Sequence, residues 1–317
     1  MKTAVSSKSF SADPELVAEL RRLYPEAKLN SDALDLSGSE LVRFFAGCES
    51  IIIGVEKLTD PVLNELPDLK IVSKYGVGID NLDLASLERR GIRLGWTPGV
   101  NRRAVSELAL ALMISTLRNV PELSLALQNG EWLRSPGRQL SERRVGVLGC
   151  GCVGKDLIRL LKPFGCVVSF YDRVVDSAFV RETGAQAVSL EELFEKSDIV
   201  SIHLPLTPST RNLIGASLLS RMPKGAVLVN TARGGLVVES DVVRALDEGR
   251  LSRAAFDVFA EEPATKNMLA QHPRCLSVPH IGGSSQEAIL AMGRAAIRGL
   301  SDHHPISYFR EQGLIDA

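Results

Sequence analysis

The sequence predicts an α/β protein of two domains, each a parallel sheet covered by helices. Three observations carry this expectation. At 317 residues the chain is too long for one typical core and suits two. From the N-terminus onward, short β-branched runs alternate with helical apolar patterns, which is the mark of a parallel sheet. In RVGVLGCGCVG (residues 144–154) the spacing Gly-x-Gly-x-x-Gly falls between a strand pattern and a helix pattern.

In order along the chain, Thr3 to Val5 reads as a strand, Pro14 to Leu23 and Leu41 to Phe45 as helices, and Ile51 to Ile53 as a buried strand. Val62 to Leu66 follows as a helix and Lys70 to Ser73 as a strand. This domain ends near Ile92-Arg93-Leu94, and Thr97-Pro98-Gly99 marks the break. Arg103 to Leu117 has too few polar positions for a surface helix and is expected to lie between the domains. Residues 121–139 carry Trp132 and several charges without a core pattern, as an arm packing outside the main core or on a second subunit would. From Arg144 six strands can be counted: Val145 to Leu148, Val167 to Tyr171, Ile199 to Ile202, Ala226 to Asn230, Ala254 to Asp257 and Leu276 to Val278. A last helix, Glu287 to Leu300, returns toward the first domain, and a polar tail follows Pro305. The expected division is 1–97 with 285–317, and 98–284.

Composition narrows the partners. Lysine and arginine total 37 against 38 acidic residues, interspersed, for a formal net charge of −1, so nucleic acid and membrane surfaces are disfavoured and a small molecule is expected. The longest apolar segment, Leu108 to Leu117, is far short of a membrane span. Five scattered cysteines and no signal-peptide pattern point to a reduced cytoplasm. Cys150-x-Cys152 lacks a second ligand pair, so no metal site is expected.

The glycine segment has the geometry of a dinucleotide site. Gly149 permits a sharp turn, Gly151 a close approach of backbone to pyrophosphate, and Gly154 helix-on-strand packing, with the helix N-terminus at Cys152 and Val153 supplying amides. The next strand ends in Asp172, placed to accept hydrogen bonds from an adenosine ribose. That favours NAD over NADP, although Arg173 beside it softens the discrimination.

Ligands bind beyond the C-terminal ends of strands in such sheets, so the residues that follow strands matter most. Three strands in succession lead into Arg233, Glu262 and His280. Hydride delivery to a ketone carbon builds negative charge on its oxygen, and His280 can supply a proton near neutral pH. A neighbouring carboxylate, Glu262, would orient the ring and raise its pKa. The planar fork of Arg233 suits a substrate carboxylate. Singly, each residue fits a bland structural role; their joint placement after three consecutive strands does not.

NTARGG (230–235), DVFAEEP (257–263) and PHIGGSSQEA (279–288) resemble the signature blocks of NAD-dependent D-2-hydroxyacid dehydrogenases, the family of phosphoglycerate and glycerate dehydrogenases. KYGVGIDN (74–81) resembles the family's substrate-carboxylate loop, TPGVN (97–101) its interdomain crossing and HLPLT (203–207) its loop under the cofactor. The resemblance implies a Rossmann dinucleotide domain, a smaller flavodoxin-like substrate domain, a cleft between them, and commonly a dimer. With two cores joined by only two crossings, closure over the substrate is expected, hinged near Thr97 to Asn101 and after His280. It implies catalytic places for Arg233, Glu262 and His280. Cofactor contacts are implied for His203, Pro205, Thr207, Thr231, Ala232, Arg233, Asp257, His280 and Gly282, with Asp257 on the nicotinamide amide. Substrate contacts are implied for Lys74, Tyr75, Gly76, Val77, Gly78, Asn101, Arg233 and His280, with the amides of Val77 and Gly78 on the carboxylate.

Departures refine these expectations. Glu262 stands where formate dehydrogenases of this family carry glutamine, which disfavours formate. No regulatory domain follows residue 317, so allosteric control of that kind is not expected. Lys74, Arg102 and Arg103 add positive charge that would suit a substrate with a second anionic group, unless they pair with acids such as Glu107. Two other functions fit the same signatures: a phosphite dehydrogenase, and an NAD(H)-sensing binding protein of the corepressor type.

Overall fold

The computed structural model describes residues 1–315, so Asp316 and Ala317, the end of the expected polar tail, lie outside the described residues. The chain forms two compact units, Met1–Asn101 with Ser284–Ala317, and Arg102–Gly283. The division falls where the helix Arg102–Leu117 begins, rather than at the Thr97-Pro98 turn.

In the first unit, strands β1 (Thr3–Val5), β2 (Lys28–Leu29), β3 (Ser50–Ile53), β4 (Ile71–Lys74) and β5 (Arg93–Gly95) form one sheet in the order β2-β1-β3-β4-β5, every pair parallel. That is the flavodoxin-like winding. β3 and β4 are buried along their whole length, which is why Ile51 to Ile53 reads as an apolar run rather than an alternating one, while β4 buries Ser73 and Lys74 after Ile71 and Val72. The two-residue β2 carries too little pattern to be read in advance. Helix Gln286–Gly299 lies on this sheet at close range: a Cβ on Gly95 would overlap the Gly299 carbonyl, and Ser73 Oγ donates to Ala296 O at 2.6 Å.

The expected polar tail after Pro305 is corrected by a helix, Ile306–Glu311, whose Ile306 and Phe309 are buried in the same core as Ile51, Val72 and Leu94. Two apolar residues three apart are one helical face, a signal too short to stand out among the flanking polar residues. Phe309→Ala is expected to cost about 3–5 kcal/mol of this unit's stability, measured by urea denaturation; a cost within about 0.5 kcal/mol would mean that the helix is not part of the core.

In the second unit, β6 (Arg144–Leu148), β7 (Val167–Tyr171), β8 (Gln186–Ala187), β9 (Ile199–Ile202), β10 (Ala226–Asn230), β11 (Leu251–Phe256) and β12 (Cys275–Ser277) form a parallel sheet in the order β12-β11-β10-β9-β6-β7-β8. Strands number seven rather than six, because the short edge strand β8 pairs with β7. The winding reverses between β6 and β9, the point beside which doubly wound sheets bind ligands. Apolar cores cover both faces. Helix Arg102–Leu117 spends its apolar residues Ala109, Leu112 and Met113 in one of these cores, beside Val147, Leu157, Val227 and Ala255. It is therefore a layer of the second unit. Among the described residues no single helix is long and apolar enough to cross a membrane, and no group of three or more His, Cys, Asp or Glu side chains could hold a metal ion.

Candidate active site

The glycine loop joins β6 to the helix Cys152–Leu161. Gly149 has φ +98°, and a Cβ there would strike the His203–Leu204 backbone, so the turn needs glycine. A Cβ on Gly154 would overlap the Gly149 carbonyl. Gly151 differs, because a Cβ there would meet no protein atom within 4 Å. Nothing inside the protein requires that glycine, whereas a pyrophosphate against the loop would. Gly151 is also the helix N-cap and offers no side chain, so no side chain of its own covers the first-turn amides at Cys152 and Val153. The residues present thus fit a dinucleotide.

Asp172 ends β7 with its Oδ2 accepting the Cys150 amide at 2.6 Å and its Oδ1 the Val174 amide at 3.2 Å, which ties the acid to the glycine loop. Arg173, next to it, is exposed and engaged in an interaction of its own. After β9, the His203 amide donates to Leu148 O at 2.7 Å and the ring meets Ser201 Oγ at 2.8 Å; burial pushes the imidazole down to about 3, so it is neutral at physiological pH. Pro205 and Thr207 lie in a turn closed by Thr210, whose Oγ1 donates to Pro205 O at 2.7 Å and accepts the Thr207 amide at 2.8 Å.

After β10 the chain turns through Thr231, Ala232 and Arg233. Asn230, fully buried, holds this turn: its Oδ1 accepts the Ala232 amide and its Nδ2 donates to Arg233 O, both at 3.0 Å. Thr231 Oγ1 is buried with no hydrogen-bond partner among the described residues. Gly234 follows, and a Cβ on it would overlap the Phe259 carbonyl. That contact brings the Arg233 turn against the loop that carries Glu262.

His280 has φ +53°, and its amide donates to Asp257 O at 2.8 Å. Its Nδ1 lies 2.8 Å from Glu262 Oε2, while Glu262 Oε1 accepts the Phe259 amide at 3.0 Å. The hydrogen bond to Glu262 raises the His280 pKa, against burial and the repulsion of Arg233. Burial works to raise the Glu262 pKa, but the bonds from His280 and the Phe259 amide and the charges of His280 and Arg233 outweigh it, so the carboxyl is held below its usual range. Arg233, Glu262 and His280 are therefore brought together. With Nδ1 facing the glutamate, Nε2 is the ring atom left to exchange a proton with a ligand.

Asp257 has a role that spacing alone did not show. It is 1% exposed, and its two oxygens accept the amides of Ile281 (2.6 Å) and Gly282 (2.9 Å), fixing the turn after His280; burial raises its pKa despite these bonds. Asn230 was equally silent, although an asparagine ending a strand before a tight turn is a readable signal for such a clamp.

The remaining expected residues belong to the first unit. Tyr75 is buried with its ring edge-on to Phe10 at 5.6 Å. Lys74 is 5% exposed; its ammonium donates to Gly54 O and, at 2.9 Å, to Asn81 Oδ1. It secures the neighbouring loop through these two acceptors. Gly76 has φ +119°. Val77 O accepts from Trp96 Nε1 at 2.9 Å, while the amides of Val77 and Gly78 donate to nothing among the described residues. Asn101 closes the first unit. In the second unit, Arg103 pairs with the buried Asp156 at 2.9 Å rather than with Glu107, and Arg102 is engaged as well.

Residues 110–282 match the family described as "D-isomer specific 2-hydroxyacid dehydrogenase, NAD binding domain". The chain belongs to that family. It is 34% identical to the D-3-phosphoglycerate dehydrogenase of Rattus norvegicus over 257 residues, 80% of this chain and 48% of that protein. It is also 34% identical to the glyoxylate reductase of Thermococcus litoralis over 259 residues, 79% and 78% of the two chains. The chain thus spans about half the length of the phosphoglycerate dehydrogenases it matches. A crystal structure of a glyoxylate reductase from Paecilomyes thermophila superposes with TM-score 0.84 at 26% identity, covering 95% of this chain and 94% of that one. For this dehydrogenase-family chain the second unit is accordingly the NAD-binding domain.

The two glycines after the turn separate folding from binding. Gly154→Ala should destabilise the domain, whereas Gly151→Ala should leave its melting temperature unchanged and weaken NADH binding at least about tenfold, read by fluorescence titration. Unchanged NADH affinity in Gly151→Ala would remove the loop from the cofactor site.

Proposed function

We propose that the chain catalyses reversible hydride transfer between NADH and a small 2-oxo acid, giving a D-2-hydroxy acid. The observation that carries this reading is the His280–Glu262 pair beside Arg233 at the C-terminal rim of the NAD-binding domain's sheet. NADH, when bound, supplies the hydride; the glycine loop, Asp172 and the unpartnered Thr231 hydroxyl are its proposed holders, with Arg173, His203, Pro205, Thr207, Ala232, Asp257 and Gly282 around them. In reduction, protonated His280 gives its Nε2 proton to the carbonyl oxygen, and Glu262 keeps the ring oriented through Nδ1. Arg233 pairs with the substrate carboxylate and polarises the carbonyl. The unpartnered amides of Val77 and Gly78 are proposed to take up a carboxylate of the substrate.

The substrate class follows from which charges remain available. Lys74 and Arg103 are already bonded to protein acceptors, so the support for a second anionic group is weaker than the sequence implied, and a compact monoanion such as glyoxylate or hydroxypyruvate is favoured. An NADH-consumption panel with glyoxylate, hydroxypyruvate, pyruvate and phosphohydroxypyruvate tests this, and strict preference for the last would overturn it. NAD reduction by phosphite would move the assignment to a phosphite dehydrogenase. NADH binding without turnover on any 2-oxo acid would favour a sensing protein.

The pH dependence has a definite sign. Reduction needs the protonated ring, so kcat should fall as pH rises through the raised His280 pKa; oxidation needs the neutral ring and should fall as pH drops through it. Glu262→Gln removes the main raising influence and should move both limbs to lower pH. His280→Ala should cost at least about 100-fold in kcat, and near-normal turnover would remove it from the mechanism.

A homodimer is proposed through the segment 120–133 of the second unit, which exposes Val120, Leu125, Leu127, Trp132 and Leu133. Sedimentation should show a dimer that dissociates in Trp132→Glu with Leu125→Glu; a monomeric parent protein at micromolar concentration would exclude it.

A further inference from the structure

Glu239 opens the helix Glu239–Asp247 and stands apart from Arg233, Glu262 and His280. We infer that Glu239 is a positioning residue, which holds the segment bearing Glu262 so that its carboxylate meets Nδ1 of His280. The inference rests on the acid-base reading proposed above.

Both oxygens of Glu239 are used, and they pull on two separate points of one segment. Oε1 accepts the Ala260 amide at 2.7 Å, and Oε2 accepts Asn267 Nδ2 at 2.7 Å. These tethers bracket Glu262. Asn267 is itself fixed, since its Oδ1 accepts the amides of Leu269 (2.9 Å) and Ala270 (3.0 Å) and its own amide donates to Ala264 O at 3.1 Å. One side chain therefore clamps residues 260–267 at both ends.

The segment needs such a clamp. It has no helix or strand, and Ala260, Glu261, Glu262, Pro263, Thr265 and Lys266 are all exposed, so apolar burial holds little of it. Glu262 takes its own orientation from the Phe259 amide, one residue before the first tether. Gly234 presses on the Phe259 carbonyl from one side while Glu239 holds the Ala260 amide, so the peptide between these residues is fixed at its carbonyl end and at its nitrogen. A hydrogen bond of 2.8 Å to an imidazole tolerates little drift, and a misplacement of about 1 Å is enough to cost large factors in rate.

The charges acting most strongly on His280 are Glu262, Asp257 and Arg233. Losing Glu239 should therefore change the His280 pKa through the placement of Glu262. Histidine ring titration by NMR on the full chain reads this without any turnover. In Glu239→Ala the His280 pKa should fall most of the way to its value in Glu262→Gln, and kcat for reduction should drop at least about tenfold with the KM for NADH unchanged. Glu239→Gln keeps an acceptor for one tether and turns a donor toward the other, so it should fall between parent and Ala. Glu261→Gln, which removes a charge from the same loop and breaks no tether, should leave the His280 pKa where it was. If Glu239→Ala does not fold, Asn267→Ala breaks the far tether, along with the Leu269 and Ala270 amide bonds, while leaving the Ala260 tether, and should shift the pKa the same way by less. An unchanged His280 pKa in the folded Glu239 or Asn267 variant, with Glu262→Gln still lowering it, overturns the positioning role and leaves the acid-base reading intact. An unchanged pKa in Glu262→Gln overturns the reading itself.

Discussion

The approach of Gly234 to the Phe259 carbonyl is the constraint on which the catalytic rim depends. Three loops that follow β10, β11 and β12 carry Arg233, Glu262 and His280, and parallel strands alone would only bring them to the same edge. Closer registration comes from backbone contact. No side chain fits between the first two loops at Gly234, and Asp257 ties the second to the third by accepting the Ile281 and Gly282 amides. Both devices act on main chain, so they fix side-chain origins rather than side-chain tips. The side-chain tips are then set by hydrogen bonds, with Glu262 accepting the Phe259 amide and meeting His280 Nδ1.

The electrostatics of this rim follow from what each carboxylate faces. Glu262 meets an imidazole and an amide, with Arg233 close by, and stays ionised against its burial. Asp257 is more deeply buried and meets only amides; its pKa is raised although its geometry is well satisfied. Two acids within one loop thus have opposite shifts, and the one that faces His280 is the one kept charged. A charged partner raises the proton affinity of the ring, which is the condition for an acid that must hold its proton until a carbonyl oxygen takes it.

The sheets and the identity of the rim residues were legible in the sequence because they rest on period and position. Buried parallel strands such as Ile51 to Ile53 and Val227 to Asn230 have no alternation to confuse, and strand ends mark ligand edges. What escaped was short or relational. β2 and β8 are two residues each, and helix Ile306–Glu311 shows its core face through Ile306 and Phe309 alone. The core partners of helix Arg102–Leu117 were not legible, because an apolar helix records that it is buried and not against what. Asn230, Asp257 and Glu239 act through amides of other loops, and such partners appear only once the chain has turned back on itself.

Charge is the instructive case. Lys74, Arg102 and Arg103 read from the sequence either as a cationic surplus near a substrate or as partners of acids such as Glu107. In the folded first unit the Lys74 ammonium meets the Gly54 carbonyl and Asn81, whose own Nδ2 donates to Gly54 O and Glu56 O, so a single amide side chain and one lysine together close the loop after β3. In the second unit Arg103 meets Asp156, an acid 5% exposed that would be costly to bury unpaired. Lys74 spends donors on Gly54 O and Asn81 Oδ1, and Arg103 is charge-paired with Asp156 through one Nη atom while the rest of its guanidinium side chain stays largely exposed. Counting basic residues near a site therefore measures field, whereas recognition of a second anion requires donors with nothing else to hold.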